Sequence, residues 1–176
     1  DLLESDTRAD LRDKSAVRET VEAVEPEIVL HLAAQPLVSA GYLLPSETWA
    51  TNVMGTVHVL EAVRQQPSVR AVVVITTDKV YEDRGIGASH LESDRLGGHD
   101  PYSSSKAAVE LVAASYRQSY WVSGDDADVC VGTARAGNVI GGGDWGVDRL
   151  VPDCLRAFEA GRPSVIRSPD SVRPWQ

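Results

Sequence analysis

Cysteine is nearly absent from this chain of 176 residues: Cys130 and Cys154 are the only two. Their spacing matches neither a disulfide framework nor a Cys-x-x-Cys metal site, so no metal is expected. Long hydrophobic runs are missing as well. The longest, around residues 71–75, is strand-sized and far short of the roughly 18 residues that cross a bilayer. Positive charge is in deficit, with 17 Lys+Arg against 26 Asp+Glu, a formal charge of −9 and a pI of about 4.8. That balance opposes non-specific binding to nucleic acid or to anionic membranes. The opening Asp1-Leu2-Leu3-Glu4 has no initiator methionine and none of the basic-then-apolar order of a secretory signal. The expectation is a cytoplasmic protein of which these residues are a fragment.

What is present reads as an ordinary globular domain. Hydrophobic residues make up 43% and charged residues 24%, and the length supports one sizeable core. Asp13 is a candidate helix cap, followed by Ala16, Val17, Val21 and Val24 at helical spacing until Pro26. Residues 28–32 (IVLHL) form a short β-branched run that predicts a buried strand. Pro45 then opens a long predicted helix through Gln66, with Val53, Val57, Leu60 and Val63 on one stripe. The run at 71–75 (AVVVI) is apolar throughout, as expected of a parallel strand covered on both faces. A polar, Gly-rich loop follows over 82–100. The next helix is predicted from Pro101 to Trp121, with Ala108, Leu111, Val112, Ser115 and Tyr116 as a face. Residues 128–133 (DVCVGT) read as a third strand, and Leu150, Leu155 and Phe158 mark an amphipathic helix that closes at Gly161. Strands alternating with crossover-length helices predict an α/β fold, a Rossmann-like parallel sheet whose ligand lies at the carboxyl ends of the strands.

Three polar or small-residue clusters fall at those ends: Ala33-Ala34-Gln35, Thr76-Thr77-Asp78-Lys79 and Arg135-Ala136-Gly137-Asn138. The run Gly141-Gly142-Gly143-Asp144-Trp145-Gly146 satisfies Gly-x-Gly-x-x-Gly, yet Asp144 would repel a pyrophosphate and Trp145 would crowd it. A flexible turn is the better reading. Tyr102 and Lys106 stand one helical turn apart on one face. A phenol, with a pKa of roughly 10, becomes a usable general base when an adjacent ammonium stabilises its phenolate. Such pairs are also common on solvated helices, and the spacing alone leaves both readings open.

Taken together, Tyr102-Ser103-Ser104-Ser105-Lys106, His31-Leu32-Ala33-Ala34-Gln35, Thr51-Asn52-Val53-Met54-Gly55-Thr56 and Ala134-Arg135-Ala136-Gly137-Asn138-Val139 resemble the extended short-chain dehydrogenase/reductase superfamily. Thr76-Thr77-Asp78-Lys79-Val80-Tyr81, Leu96-Gly97-Gly98-His99-Asp100-Pro101-Tyr102, Gly141-Gly142-Gly143-Asp144-Trp145, Asp148-Arg149-Leu150-Val151-Pro152-Asp153 and Arg173-Pro174-Trp175-Gln176 narrow the resemblance to its nucleotide-sugar 4,6-dehydratases, those that act on CDP-glucose. Nearly the whole chain takes part in the match.

The resemblance implies an internal redox cycle that uses NAD and removes water across C5 and C6 of the sugar. Tyr102 would take the 4-hydroxyl proton, with Lys106 supporting it and bonding the nicotinamide ribose. Thr77 would bond the 4-oxygen, and Asp78 would protonate the departing 6-hydroxyl. Lys79 stands where dTDP-glucose relatives carry a glutamate base, so it acts either deprotonated or electrostatically. Asp10, Leu11, Ala33, Ala34 and Gln35 would line the cofactor, and Asn138, Arg149 and Arg173 the substrate. Residues 1–140 would form a partial NAD-binding domain and 141–176 the start of a substrate-binding region. Family members carry a Gly-rich phosphate loop ahead of this segment and continue past Gln176, and they are homo-oligomers. The 176 residues alone are therefore expected to be inactive and to bind NAD poorly. The rival readings are a dTDP- or GDP-sugar dehydratase, an epimerase, which usually has an apolar residue at the position of Asp78, and a non-catalytic NAD-binding protein of the same fold.

Overall fold

A computed structural model describes residues 3–82, 84, 89–121 and 129–176. Asp13 does cap the first helix, α1 (Lys14–Val24): its carboxylate accepts from the Ser15 and Ala16 amides at 2.9 and 3.1 Å. Those are two of the donors that a helix start leaves unpaired. The chain then enters β1 (Ile28–His31), which pairs in parallel with β2 (Ala71–Thr77), Ile28 opposite Ala71 and His31 opposite Val74. A third strand, β3 (Cys130–Ala136), completes the order β1-β2-β3. The Cys130 amide donates to the Arg70 carbonyl at the start of the β2–β3 pair, and the Thr76 hydroxyl meets the Ala134 carbonyl near its end. All three strands therefore run the same way, in the α/β architecture that the sequence predicts.

Helices cover the crossovers. Between β1 and β2 lie α2 (Val38–Leu43), α3 (Pro45–Trp49), a π-helical turn (Ala50–Met54) and α4 (Gly55–Arg64). Between β2 and β3 lie a short 3₁₀ turn (Asp78–Val80) and α5 (Pro101–Tyr120). The core forms where Val72 and Val74 of β2 meet Leu60 and Val63 of α4, Val109 of α5, and Val69, each at most 2% exposed. Full burial of such a side chain contributes about 1.5–3 kcal/mol.

Four expectations need correction. The single helix over 45–66 is three segments, because the π turn adds a residue to the ladder and places Asn52 inside, 1% exposed. The strand at 28–32 is not buried on both faces: Ile28 and Leu30 are 63% and 61% exposed, while Val29, packed on the core, and His31 form the one covered face of this outermost strand of the described sheet. Both later strands run further than the apolar pattern suggests, β2 through Thr76-Thr77 and β3 through Arg135-Ala136, because their last hydroxyl and guanidinium groups find buried partners. Asp128, where the third strand was expected to start, lies outside the described residues. Finally, α5 turns a partly different face inward. Leu111 is 63% exposed, while Ser105, Lys106, Val109, Glu110 and Ala113 are buried. Of the expected face, Val112 and Tyr116 do pack against the core, but the buried polar groups are satisfied, so apolar periodicity alone misses the Lys106 and Glu110 side.

The chain divides into two units, Asp1–Arg135 and Ala136–Gln176. In the second, α6 (Leu150–Glu159) ends ahead of Gly161, whose φ of 63° is the left-handed turn expected there. Asn138 pairs with the last residues: its amide donates to the Pro174 carbonyl at 2.9 Å, and its carbonyl accepts from Gln176 at 2.8 Å. Among the described residues no helix is long and apolar enough to cross a membrane.

Candidate functional site

Helix α5 begins at a turn that only glycine can make. Gly98 has φ 135°, and a Cβ there would lie 2.6 Å from the Ser104 amide nitrogen. Asp100 then caps the helix, accepting from the Tyr102 and Ser103 amides at 2.9 and 3.0 Å, and the Ser103 hydroxyl completes a capping box. Tyr102 is thereby fixed in the first turn, half-buried, with Lys106 one turn further on. Lys106 is 7% exposed, and its Nζ donates to the Ile75 carbonyl of β2 at 2.9 Å. Burial lowers its pKa from 10.5 to about 8.

That bond ties α5 to the strand end that carries the remaining groups. Thr77, two residues beyond Ile75, donates its hydroxyl to Asp78 Oδ1 at 3.0 Å, and Lys79 Nζ reaches the same oxygen at 3.4 Å. Helix α5 packs along β2 and the 3₁₀ turn, so the structure gathers Thr77, Asp78, Lys79, Tyr102 and Lys106 at one carboxyl edge of the sheet. Below them, His31 is buried 3.0 Å from the Thr56 hydroxyl. Burial, helped by the charge of Lys106, lowers its pKa to about 4, so it is a neutral packing residue near pH 7. The Thr56 proton goes to the Asn52 carbonyl at 2.6 Å, which leaves His31 Nε2 as the donor.

A second group of expected residues surrounds a cavity of about 610 Å³, lined by Asp10, Leu11, Ala33 and Ala34 together with Arg8, Ala9 and Thr51. The Asp10 carboxylate is clamped by Arg12, with Nη2 at 2.6 Å and Nε at 3.0 Å, and these bonds hold its pKa down to about 2. Leu11 packs against Gly55, where a Cβ would fall 2.5 Å from its side chain, and its carbonyl is bonded by His58 Nδ1 at 3.1 Å. Gln35 is turned to its own loop instead: its side chain donates to Thr48 Oγ1 at 2.8 Å and accepts from the Leu37 amide at 2.6 Å.

Asn138, Arg149 and Arg173 lie in the second unit. Arg149 Nη1 pairs with Asp144 at 3.2 Å, and Asp144 also accepts from the Gly146 amide. The glycine run at 141–146 thus has its acid bound to its own turn. Arg173 is exposed and donates to the Val172 carbonyl.

Four residues brace this edge; in the sequence Asn52, Thr76 and Ser105 figure only as members of motifs, and Glu110 is not singled out. Asn52 donates to Ser105 Oγ at 2.8 Å and to the Gln35 carbonyl at 3.1 Å, joining the cavity loop to α5. Ser105 in turn donates to the Tyr102 carbonyl at 2.7 Å. Thr76 and Glu110 bond each other at 2.5 Å. One signal was available for Glu110: it continues the four-residue spacing of Tyr102 and Lys106.

Residues 4–176 match the NAD dependent epimerase/dehydratase family. The chain is 51% identical along its whole length to a CDP-glucose 4,6-dehydratase from Salmonella typhimurium, of which it spans 49%. It is 28% identical over 96% of its length to a dTDP-glucose 4,6-dehydratase from Xanthomonas campestris, spanning 48% of that enzyme. Among solved structures, the dTDP-glucose 4,6-dehydratase DesIV of Streptomyces venezuelae, with NAD and DAU bound, superposes with a TM-score of 0.80 at 26% identity, over 95% of this chain and 48% of that one. A Thermus thermophilus UDP-glucose 4-epimerase complex with NAD gives 0.78 at 28% identity, over 96% and 54%. The chain spans about half the length of these relatives.

Proposed function

The chain belongs to the NAD dependent epimerase/dehydratase family, and from that membership we propose that the protein containing it is an NAD-dependent 4,6-dehydratase of CDP-glucose. The observation that carries the reading is the edge where the Thr77 hydroxyl and the Lys79 ammonium meet on Asp78 Oδ1, with the Tyr102 helix pinned to the same strand through Lys106. An epimerase has no use for an acid at a sugar 6-hydroxyl. The 51% identity to the Salmonella typhimurium enzyme supports the nucleotide assignment.

The cavity at Asp10 fits the adenosine end of the cofactor: Ala33 and Ala34 leave its wall without bulk, and Asp10 offers a carboxylate that stays ionised because Arg12 holds it. Lys106 would hold the nicotinamide ribose. NAD supplies the hydride acceptor at C4 and the hydride donor at C6. Tyr102 removes the 4-hydroxyl proton, and the buried ammonium of Lys106 lowers the energy of the phenolate. With substrate bound, the Thr77 hydroxyl would turn from Asp78 Oδ1 and donate to the 4-oxygen instead. The ketone makes the C5 proton acidic, and Asp78 protonates the 6-hydroxyl as it leaves. An ammonium on Oδ1 cannot act as the C5 base while protonated, so Lys79 either loses its proton or works electrostatically. Asn138, Arg149 and Arg173 would contact the nucleotide sugar, the guanidinium groups suiting its diphosphate. The protein works in the cytoplasm as a homo-oligomer in this reading.

Incubating the full-length protein with CDP-, dTDP-, UDP- and GDP-glucose, and reading ketosugar absorbance in base, tests the assignment. Turnover of CDP-glucose is expected. Turnover of the others alone would overturn the nucleotide assignment, and none at all would overturn the dehydratase.

A further inference from the structure

Glu110 sits on α5 one turn beyond Lys106 and two beyond Tyr102, and it is 5% exposed. Its carboxylate is fully engaged. Oε1 accepts from the Thr76 hydroxyl at 2.5 Å, and Oε2 from the Thr133 hydroxyl at 2.8 Å and from Arg135 Nη2 at 2.9 Å. Arg135 is itself held by the Tyr81 hydroxyl at 3.0 Å and packs over that ring. One carboxylate therefore bonds α5, β2 and β3 at the edge where the reacting groups stand. Burial alone would raise its pKa, but the bonds from Arg135, Thr76 and Thr133 outweigh that and hold it below the ordinary value.

The two oxygens do different things. The Oε2 side joins α5 to β3, which carries none of the groups assigned to chemistry. The Oε1 side grips Thr76, whose next residues are Thr77, Asp78 and Lys79. We propose that Glu110 is a positioning residue: through Thr76 it sets the spacing between the strand end that presents Thr77 and Asp78 and the helix that presents Tyr102 and Lys106. Two ties then fix that spacing, Lys106 to Ile75 ahead of the reacting residues and Glu110 to Thr76 beside them. A shift of about 1 Å between groups that must meet one sugar oxygen costs about 10²-fold in rate.

Replacing Glu110 itself would remove the carboxylate from the half-buried Arg135 guanidinium and from both threonines at once, so the two threonines are the better levers. In the full-length protein, Thr76→Val removes the Oε1 tie, whereas Thr133→Val removes an equivalent bond on Oε2 and leaves the carboxylate anchored by Arg135. Thermal unfolding should show comparable losses for both. Hydrogen exchange over residues 76–81 should quicken about fivefold to tenfold in Thr76→Val alone. With CDP-glucose, Thr76→Val should lose about 10²-fold in kcat at unchanged KM, Thr76→Ser should restore it, and Thr133→Val should keep it. The kinetic arm rests on the dehydratase reading and the exchange arm does not. A wild-type protein inactive on every nucleotide sugar removes that reading and leaves exchange to decide. Equal behaviour of the two valine variants, or unchanged exchange over 76–81 in Thr76→Val, overturns the proposal.

Discussion

Replacing Lys106 by methionine should make the protein more stable and inactive at once. The ammonium is 7% exposed, and burial brings its pKa from 10.5 in the unfolded chain to about 8 in the fold. At about 1.4 kcal/mol per pH unit, that opposes folding by about 3 kcal/mol wherever both states are charged. The folded pKa is the lower one, so below about 8 both states hold the proton and the full cost is present. Between about 8 and 10.5 the folded state sheds its proton first, the unfolded state binds more protons, and stability rises with pH. Methionine fills similar space without charge but gives up the ammonium's bond to the Ile75 carbonyl, which costs about 1–2 kcal/mol. The expected balance is a variant about 1–2 kcal/mol more stable than wild type at neutral pH, with the order reversed above the unfolded-state pKa. Urea unfolding of the full-length, cofactor-stripped protein on both sides of this window measures it, alongside turnover. A variant less stable than wild type at neutral pH, or a difference that does not change with pH, would refute the reasoning.

Asp78→Asn keeps the shape but has no proton to give, so elimination should slow by about 10²–10⁴-fold while oxidation continues. Stopped-flow absorbance should then show the reduced cofactor accumulating, and its absence would place Asp78 earlier in the reaction. Gly55→Ala puts a Cβ 2.5 Å from Leu11 and should displace the 10–11 segment, weakening NAD binding in calorimetric titration of the full-length protein. Asp100→Ala removes the α5 cap and should cost about 1 kcal/mol in urea unfolding, with turnover reduced because Tyr102 sits in the first turn.

The strand-and-helix order was legible because β2 and α4 are apolar enough to declare themselves, and because Asp13 and Asp100 are caps with few competing uses. The grouping of polar residues at the β2 edge was legible because Thr77, Asp78, Tyr102 and Lys106 are polar where packing alone would call for apolar residues. What escaped has a common cause. The inward face of α5 is built from Lys106 and Glu110 as much as from Val109 and Ala113, and hydrophobic periodicity cannot see a face whose polar groups are paired across the fold. The π turn at Ala50–Met54 escaped for the same reason, since it serves the buried amide of Asn52. Ile28 and Leu30 misled in the opposite direction: an apolar strand reads as covered whichever strands flank it.

The most direct test of the central claim follows one hydrogen. The full-length protein is given CDP-glucose deuterated at C4, and the product is read by NMR. A dehydratase with an internal redox cycle carries the label from C4 to the new C6 methyl group. Label returned to C4 would mean an epimerase, and label left on unconsumed substrate would mean that Tyr102, Asp78 and their neighbours perform no chemistry on this sugar.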